Sequence, residues 1–291
     1  MSARDEPRPE RAIARSLGVI HNIAYYSREV RDFEQLGLPQ FWRAYVAWRC
    51  APLGAVGPQA ATAVLYNFAP RMVADALPSA WETTTPAEVL AMRDDMLSRA
   101  LVRGLGDLAH SAEVRAAADL ARAGIDGTDV AGRALFAAHA DLDWPDEPWM
   151  QLWHATTLWR EHRGDGHNIA LAAAGIDGLE AHVLLAARGV ADQPTIEKIR
   201  GWTTDEWGGA VIRLADRGLV TADGGATPEG TELRQEIERR TDDLAAEPRA
   251  RLGPERLQQL IDLASPLAGH LVEVGAVAGR WPPPNPVARD S

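Results

Sequence analysis

The sequence repeats part of itself at a constant offset, since Trp153 follows Trp42 by 111 residues and the flanking residues match in the same register. The matching pairs are Gln40/Gln151, Trp42/Trp153, Ala44/Ala155, Trp48/Trp159 and Arg49/Arg160. A duplicated unit of this size predicts two similar halves that pack as a pseudo-symmetric molecule with a cleft between them. After the shared Trp-Arg pair the first copy continues with residues 50–54, and the second with the polar segment 161–167. We therefore expect any binding or catalytic chemistry in the second copy.

Composition narrows the class of protein. The 291 residues include 30 basic and 41 acidic side chains, which give a formal net charge of −11. Because proteins contact phosphate backbones through Lys and Arg, this balance argues against a nucleic-acid partner unless basic residues are concentrated locally. The single cysteine, Cys50, excludes an intramolecular disulfide and a cysteine-rich metal site. A cytoplasmic location is expected, and the absence of a signal-like or membrane-length apolar run predicts no membrane partner.

Hydrophobic periodicity predicts an almost entirely α-helical protein. An acidic connector with two prolines, residues 142–148, divides a first unit (1–143) from a second (148–280), and residues 281–291 form a Pro-rich tail. The two glycines at positions 164 and 166 predict a helix break there, with His167 in the next helix. Residues 58–77 are expected to form one helix, which places Asn67 on an apolar helical face.

The second unit has the element order of a winged helix-turn-helix. Two helices are expected at about 177–188 and 193–200, and a threonine-capped helix then runs to Gly218. A short hairpin at about 219–227 and a long helix from Pro228 follow. The strings at 214–220 and 227–230 resemble the end of the recognition helix, the wing and the first turn of the dimerisation helix in MarR-type regulators.

More of the chain is similar to an actinobacterial family of MarR-like helix-turn-helix proteins of unassigned function. The motifs that carry this resemblance lie at residues 66–70, 160–167 (REHRGDGH), 200–202 (RGW) and 241–242. The resemblance implies a mainly α protein built as a tandem duplication of a MarR-like winged-helix unit. The two units would form an intrachain pseudo-dimer, the first of them degenerate, with β structure limited to short wing hairpins. The family brings no reaction with it, and the resemblance leaves the cofactor unknown.

The polar segment 154–167 is the strongest candidate site. His162 and His167, with Asp165 or Glu161 orienting one imidazole, predict a general base or a hydrogen-bond partner in a cleft between the halves. Arg163 would bind a carboxylate or phenolate within hydrogen-bond reach of these histidines. Four further residues are predicted to bind the ligand: His154, Trp159, Asn67 and Tyr66. The spacing of the histidines does not match a metal motif, so we predict no metal site.

Two other interpretations of this segment and of the whole chain stay open. The arginines and carboxylates could instead form a buried network that fixes helix junctions, with Asp165 capping the helix at His167. The repeat favours that role for Arg160, because Arg49 holds the equivalent position. If the imidazoles packed against backbone carbonyls with no cavity beside them, the site hypothesis would fail.

The preferred function is binding of a small aromatic or polycyclic molecule between the halves, with enzymatic turnover and a further homodimer left open. The predicted recognition helix begins with Asp205 and Glu206, and the wing at 221–225 is acidic, so DNA binding is expected to be lost. The alternative is a ligand-responsive MarR-type transcription regulator that would contact phosphates through Arg213 and Arg217. A third possibility is an interaction scaffold that binds neither small molecules nor DNA.

Overall fold

The computed structural model describes residues 9–278, and these residues fold into fifteen α-helices. The first nine are α1 (Pro9–His21), α2 (Ile23–Tyr26), α3 (Phe41–Cys50), α4 (Pro58–Leu65), α5 (Pro70–Ala76), α6 (Ser79–Thr83), α7 (Pro86–Leu105), α8 (Ala112–Ile125) and α9 (Ala134–Ala140). The last six are α10 (Pro148–Ala173), α11 (Gly178–Ala186), α12 (Gln193–Arg200), α13 (Thr204–Asp216), α14 (Pro228–Leu244) and α15 (Glu247–Glu273). Short 3-10 helices lie at Arg28–Leu36, Ala51–Leu53 and Gly106–His110. The mainly α prediction is confirmed, while the predicted tail at 281–291 lies outside the described residues.

Capping motifs in the sequence mark the first residues of several of these helices. Helix α7 begins with a capping box in which the Thr85 hydroxyl accepts from the Glu88 amide and the Glu88 carboxylate accepts from the Thr85 amide. The same reciprocal arrangement, built from Thr203 and Glu206, opens α13. A capping box satisfies backbone donors that the first turn of a helix leaves without partners. These helix starts could therefore be predicted from the sequence alone.

Helix α10 is the central element and corrects one prediction. It runs without interruption through Gly164 and Gly166, so His162 and His167 lie on one helix and Asp165 does not cap a new one. Gly166 lies close to two neighbouring side chains, because an added Cβ would be 2.9 Å from Arg133 Nη1 and 3.2 Å from Leu244 Cβ. Tertiary packing around this helix outweighs the low helix propensity of the two glycines.

The buried apolar side chains form two clusters. The larger one joins helices of the first half to residues 150–159 of α10 and to α15, and the smaller one spans residues 170–237. Helix α10 contributes to both clusters. The division of the core therefore lies within this helix and does not coincide with the predicted boundary at residues 143–148.

The three helices predicted as the helix-turn-helix unit, α11, α12 and α13, pack around the smaller cluster, with Ile196, Trp207 and Leu214 buried in it. The expected wing is reduced. Across the described residues 9–278, β pairing is limited to one bridge between Val220 and Ala226. Thr227 then caps α14, and its hydroxyl donates to the Gly218 carbonyl oxygen at 2.8 Å. The segment predicted as a hairpin is thus a tight turn between α13 and α14.

The predicted helix over residues 58–77 is two helices, α4 and α5, separated by a turn at 66–69. Tyr66 has a φ of 37°, and Asn67 lies in this turn rather than on a helical face. Gly178, at the start of α11, packs directly on this turn, because a Cβ there would lie 2.1 Å from the Tyr66 carbonyl oxygen. The turn therefore connects the first half to the helix-turn-helix unit.

No single helix within residues 9–278 is long and apolar enough to span a membrane. Helices α10 and α11, which meet at 93°, would together satisfy the length and composition criteria, and both contribute to the buried core.

Candidate functional site

A cavity of about 310 Å³ lies beside the polar segment of α10 and is lined by residues of both halves. The first half contributes α1, α3 and the turn at 66–69, and the second contributes residues 156–168 of α10, the end of α12 and the start of α15. Six of the predicted site residues line it, all of them on α10 or in the turn: Asn67, Trp159, His162, Arg163, Asp165 and His167.

Two arginines bind one buried carboxylate at the cavity wall. Arg49 Nη2 donates to Glu161 Oε2 at 3.0 Å, and Arg160 Nη1 donates to Glu161 Oε1. Burial opposes ionisation of Glu161, but the two guanidinium groups outweigh it and hold its pKa below the ordinary value. Arg49 and Arg160 are the two equivalent arginines of the sequence repeat. The network expected under the structural interpretation therefore exists, and Glu161 rather than Asp165 is its acid.

One ring nitrogen of His162 has no hydrogen-bond partner. The residue is 1% exposed, and its Nε2 atom accepts or donates no hydrogen bond within the described part of the chain. Its ring packs edge-on against Phe136 at 5.0 Å between centroids. Burial, reinforced by the charge of Arg133, lowers the pKa of His162 to about 4, so the imidazole is neutral at pH 7. A neutral imidazole with a free ring nitrogen can exchange a hydrogen bond with a ligand.

The Asp165 carboxylate contacts the preceding helix, α9, and not a histidine. Its Oδ2 accepts from the Phe136 amide at 2.9 Å, which caps the first turn of α9, whose own N-cap residue, Arg133, makes no side-chain cap bond. Burial raises the pKa of Asp165 to about 6. The predicted pairing of Asp165 with an imidazole is therefore wrong, since the carboxylate satisfies α9 instead.

His167 and Arg163 are held by α14. The Thr241 hydroxyl donates to the Ile237 carbonyl oxygen, so it accepts from His167 Nδ1 at 2.9 Å and fixes the proton on that nitrogen. Arg163 Nη2 donates to Asp242 Oδ1 at 2.9 Å and to Glu238 Oε2 at 3.3 Å. The guanidinium that was predicted to bind the carboxylate or phenolate of a ligand is therefore held by two acids of the protein itself.

Two predicted ligand-binding residues lie elsewhere. His154 is 4% exposed and packs edge-on against Trp144, in a separate depression next to Arg93. The Tyr66 hydroxyl donates to the Ile176 carbonyl oxygen at 2.7 Å and does not line the cavity. Helical periodicity places His154 two turns from His162. It cannot show that His154 packs on Trp144 in one depression while His162 lines another.

Four cavity residues were missed by the sequence reasoning: Arg49, Arg200, Tyr45 and Phe68. Arg200 packs on the face of the Phe68 ring, with its guanidinium carbon 4.4 Å from the ring centroid. Burial lowers the pKa of Arg200 to about 10, so it is still cationic at pH 7. The signals for these residues were present, because Arg49 belongs to the repeat and Arg200 to the RGW motif.

The arrangement of α11, α12 and α13 agrees with a comparison against known families, in which the model of a helix-turn-helix family matches residues 10–278. The chain belongs to this helix-turn-helix family. The match covers both halves of the chain. Neither the curated proteins nor the solved structures contain a significant match to the chain.

Within this family unit, the two arginines expected to contact phosphates are bound by the protein itself. Arg213 donates to Glu180 Oε1 at 3.0 Å and to Asp177 Oδ2 at 2.8 Å. Arg217 donates to the Gly175 carbonyl oxygen at 2.9 Å. The exposed face of α13 otherwise presents Thr204, Asp205, Gly208, Ile212 and Asp216. This face carries more acid than free base, which opposes an approach to phosphate.

The part of the chain that the structure describes contains no group of three His, Cys, Asp or Glu side chains that could hold a metal ion. The chemistry available at the cavity is therefore that of guanidinium groups, a neutral imidazole, tyrosine hydroxyls and aromatic faces. These groups favour recognition of an organic molecule. A base with a pKa of about 4 is a weak one at pH 7, so His162 is better suited to hydrogen bonding than to proton abstraction.

Proposed function

We propose that this helix-turn-helix protein binds a small organic molecule in the cavity between its halves. The observation that carries the proposal is the free Nε2 atom of buried His162 in the wall of a cavity of about 310 Å³. Buried polar atoms are nearly always hydrogen-bonded, so an unpartnered one beside a cavity needs an explanation, and a ligand supplies it. Cavities of roughly 300–1,000 Å³ are typical of small-molecule sites. The tyrosine, tryptophan and phenylalanine side chains of the wall suit an aromatic or polycyclic body.

Tryptophan fluorescence tests this proposal, because Trp159 lines the cavity. We expect a set of aromatic and polycyclic compounds to include members that quench the emission saturably with a single site per chain. The same compounds should raise the melting temperature, since a ligand that binds only the folded state stabilises it. If no compound quenched the emission or raised the melting temperature, the proposal would be wrong.

A cytoplasmic location and a tandem origin of the two halves belong to the same proposal. The only cysteine of the chain, Cys50, is buried and forms no disulfide, which is compatible with a reducing compartment. The convergence of the repeat arginines Arg49 and Arg160 on Glu161 is what a duplicated unit packed against its copy would produce.

A transcription regulator is the second candidate, favoured by the family to which the chain belongs. It predicts salt-sensitive binding to the promoter region of the protein's own operon. Because Arg213 and Arg217 are held by Glu180 and neighbouring acceptors, we propose instead that α13 has become part of the scaffold. A mobility-shift assay at low salt separates the two: a shift that is lost in Arg213→Ala and Arg217→Ala supports the regulator, and no shift supports the scaffold.

A further inference from the structure

The depression that contains His154 is a separate feature of the molecule. It has a volume of about 430 Å³ and lies between α7, the acidic connector at 142–148 and the first two turns of α10. No residue that lines it also lines the cavity between the halves. The proposed function therefore makes no use of this depression or of its side chains.

His154 brings an unsatisfied nitrogen to this depression. The residue is 4% exposed, and its Nε2 atom has no hydrogen-bond partner within residues 9–278. Burial, reinforced by the charge of Arg93, lowers the pKa of His154 to about 3, so the imidazole is neutral at pH 7. Buried polar atoms are nearly always hydrogen-bonded. A ligand hydroxyl or N–H group in the depression would supply the partner that Nε2 lacks.

The lining around His154 is largely apolar. Helix α7 contributes Leu90, α10 contributes Met150 and Trp153, and the connector contributes Trp144. The imidazole packs edge-on against Trp144, with 4.7 Å between the ring centroids. Aliphatic and aromatic side chains of this kind suit the ring of an aromatic molecule. The imidazole and its surroundings therefore match an aromatic ring that carries one polar substituent.

The charged residues of the lining are mostly acidic: Arg93, Asp94, Asp95, Asp143 and Glu147. Arg93 Nε and Nη2 bond to Asp94 Oδ1 at 2.9 and 2.8 Å, and Asp95 pairs with Arg99. The other two carboxylates, Asp143 and Glu147, are exposed and form no ion pair within residues 9–278. These two carboxylates form the acidic rim of the depression.

The excess of negative charge persists when the nearest outer cations are included. Arg122 lies over Trp144 at 4.3 Å from the ring centroid, and Arg99 pairs with Asp95. With these two arginines and Arg93, three cations face four carboxylates. The acidic rim therefore attracts a cationic group and repels an anionic one.

We infer that this depression is a second binding site and that it takes an aromatic amine with a hydroxyl or N–H group on its ring. The ring lies against Trp144 and Met150, its polar substituent bonds to His154 Nε2, and the ammonium group lies near Asp143 and Glu147. Carboxylates and phosphates are disfavoured by the same acidic rim. The inference does not depend on the proposed function, because the two sites share no residue.

Four related compounds test the inference on the unmodified chain, by isothermal titration at pH 7.5 and low ionic strength. Tyramine has both the ring hydroxyl and the ammonium group. Phenethylamine lacks the hydroxyl, 4-ethylphenol lacks the ammonium group, and 3-(4-hydroxyphenyl)propionate has a carboxylate in its place.

We expect tyramine to bind about fivefold more tightly than phenethylamine, the effect of one net hydrogen bond. It should bind about three- to fivefold more tightly than 4-ethylphenol, the effect of exposed ion pairs, and the propionate should bind most weakly. Equal affinities of tyramine and phenethylamine would overturn the inference. Binding of the propionate as tight as that of tyramine, or no binding of any of the four compounds, would also overturn it.

Variants locate the site. In His154→Leu the affinity for tyramine should fall about fivefold, to that of phenethylamine, and the affinity for phenethylamine should not change. Because Nε2 makes no hydrogen bond, this substitution takes no partner from another group through that atom. In Asp143→Asn/Glu147→Gln both amines should bind about three- to fivefold more weakly, whereas 4-ethylphenol should bind as before.

Asp205→Asn/Glu229→Gln is the matched control for the acidic rim. It removes the same charge from exposed positions on α13 and α14 that do not line the depression, so it should change none of the affinities. An unchanged tyramine affinity in folded His154→Leu would contradict the site. If that variant does not fold, the four compounds on the unmodified chain and the variant of the acidic rim still decide the inference.

Discussion

The buried polar residues of this protein fall into two groups. In one group every polar side-chain atom has a hydrogen-bond partner, and in the other at least one atom has none. His21 belongs to the first, because its Nδ1 donates to the Thr157 hydroxyl at 3.0 Å and its Nε2 accepts from the Tyr25 hydroxyl at 2.8 Å. His162 belongs to the second. This contrast distinguishes a structural histidine from one available to a ligand, and burial alone does not reveal it, since both residues are almost inaccessible.

Replacing each histidine by leucine tests that contrast. His162→Leu removes an unsatisfied buried nitrogen and keeps most of the side-chain volume, so the free energy of unfolding should stay within about 1 kcal/mol of wild type or rise. Ligand affinity should fall in the same variant. His21→Leu strands the Tyr25 hydroxyl and should cost about 1–3 kcal/mol. Urea denaturation monitored by circular dichroism measures both, and a larger loss in His162→Leu than in His21→Leu would show that His162 is structural.

Glu161 is the carboxylate that pairs with both Arg49 and Arg160. Glu161→Gln leaves Arg49, with a side chain only 8% exposed, facing a neutral amide, and breaking a buried ion pair in this way costs about 3–5 kcal/mol. Glu238→Gln is the comparison, since Glu238 is 25% exposed and pairs with Arg163 and Arg234, so its replacement should cost less than that of the almost inaccessible Glu161. Equal costs in the two variants would contradict a buried network at Glu161.

At the scale of elements, α10 shows why local propensity can mislead. Its two glycines have different surroundings, although the sequence presents them as a symmetric pair around Asp165. A Cβ at Gly166 would meet Arg133, whose terminal nitrogens donate to the carbonyl oxygens of His162 and Leu244 at 2.7 Å each. A Cβ at Gly164 would meet only Glu161 Oε2 at 3.8 Å. One glycine is required by packing and the other is not.

Alanine at the two positions should therefore act in opposite directions. Gly164→Ala should stabilise the protein by about 0.5–1 kcal/mol, the difference in helix propensity between the two residues. Gly166→Ala should destabilise it, because the methyl group displaces Arg133 from its two carbonyl acceptors. Thermal unfolding of the pair measures the difference, and a gain in stability from Gly166→Ala would refute the close packing of α10 against α14.

Sequence patterns predicted those elements whose ends are set locally. The capping boxes at Thr85 and Thr203 and the glycine at 218 define helix ends through residues three or four positions apart, so they were visible in the sequence. The continuity of α10 and the turn at Asn67 depend on residues distant in the chain. The carbonyl oxygen of Asn67 accepts from Trp202 Nε1 at 3.1 Å, across 135 positions. His162 was predicted as a site residue because it belongs to a local polar segment. Arg200 was missed because only the folded chain brings it to the cavity.

At the scale of the whole molecule, buried neutral histidines link stability to pH. Burial lowers the pKa of six of them: that of His21 well below its ordinary value, those of His139, His162 and His167 to about 4, and those of His154 and His182 to about 3. Their ordinary value is 6.5, so between pH 6.5 and about 4 the unfolded chain binds more protons than the folded one. Stability from these groups is complete above pH 6.5 and is lost as the pH falls. Asp165 acts oppositely, because its pKa is raised to about 6 and its contribution grows as the pH falls below 6.

Six histidines outweigh one aspartate, so the melting temperature should decrease steadily from pH 7 to pH 4.5. Thermal unfolding at half-unit pH intervals measures the trend, and a second series at higher ionic strength separates it from general charge repulsion, which salt screens. A melting temperature that stays constant or rises over this range would contradict the burial of neutral imidazoles.

The central claim is that a ligand occupies the cavity between the halves, and one calorimetric titration tests it most directly. Gly164 lines the cavity, and an added Cβ there would meet only Glu161 Oε2 at 3.8 Å, so Gly164→Leu should keep the helix and fill part of the site. Gly208→Leu places the same side chain in open space on α13, outside the cavity. With an aromatic compound that quenches the tryptophan emission as the titrant, the account predicts one site per chain in wild type and in Gly208→Leu, and at least about a tenfold weaker affinity in folded Gly164→Leu, equivalent to about 1.4 kcal/mol. Equal affinities in all three proteins would contradict it.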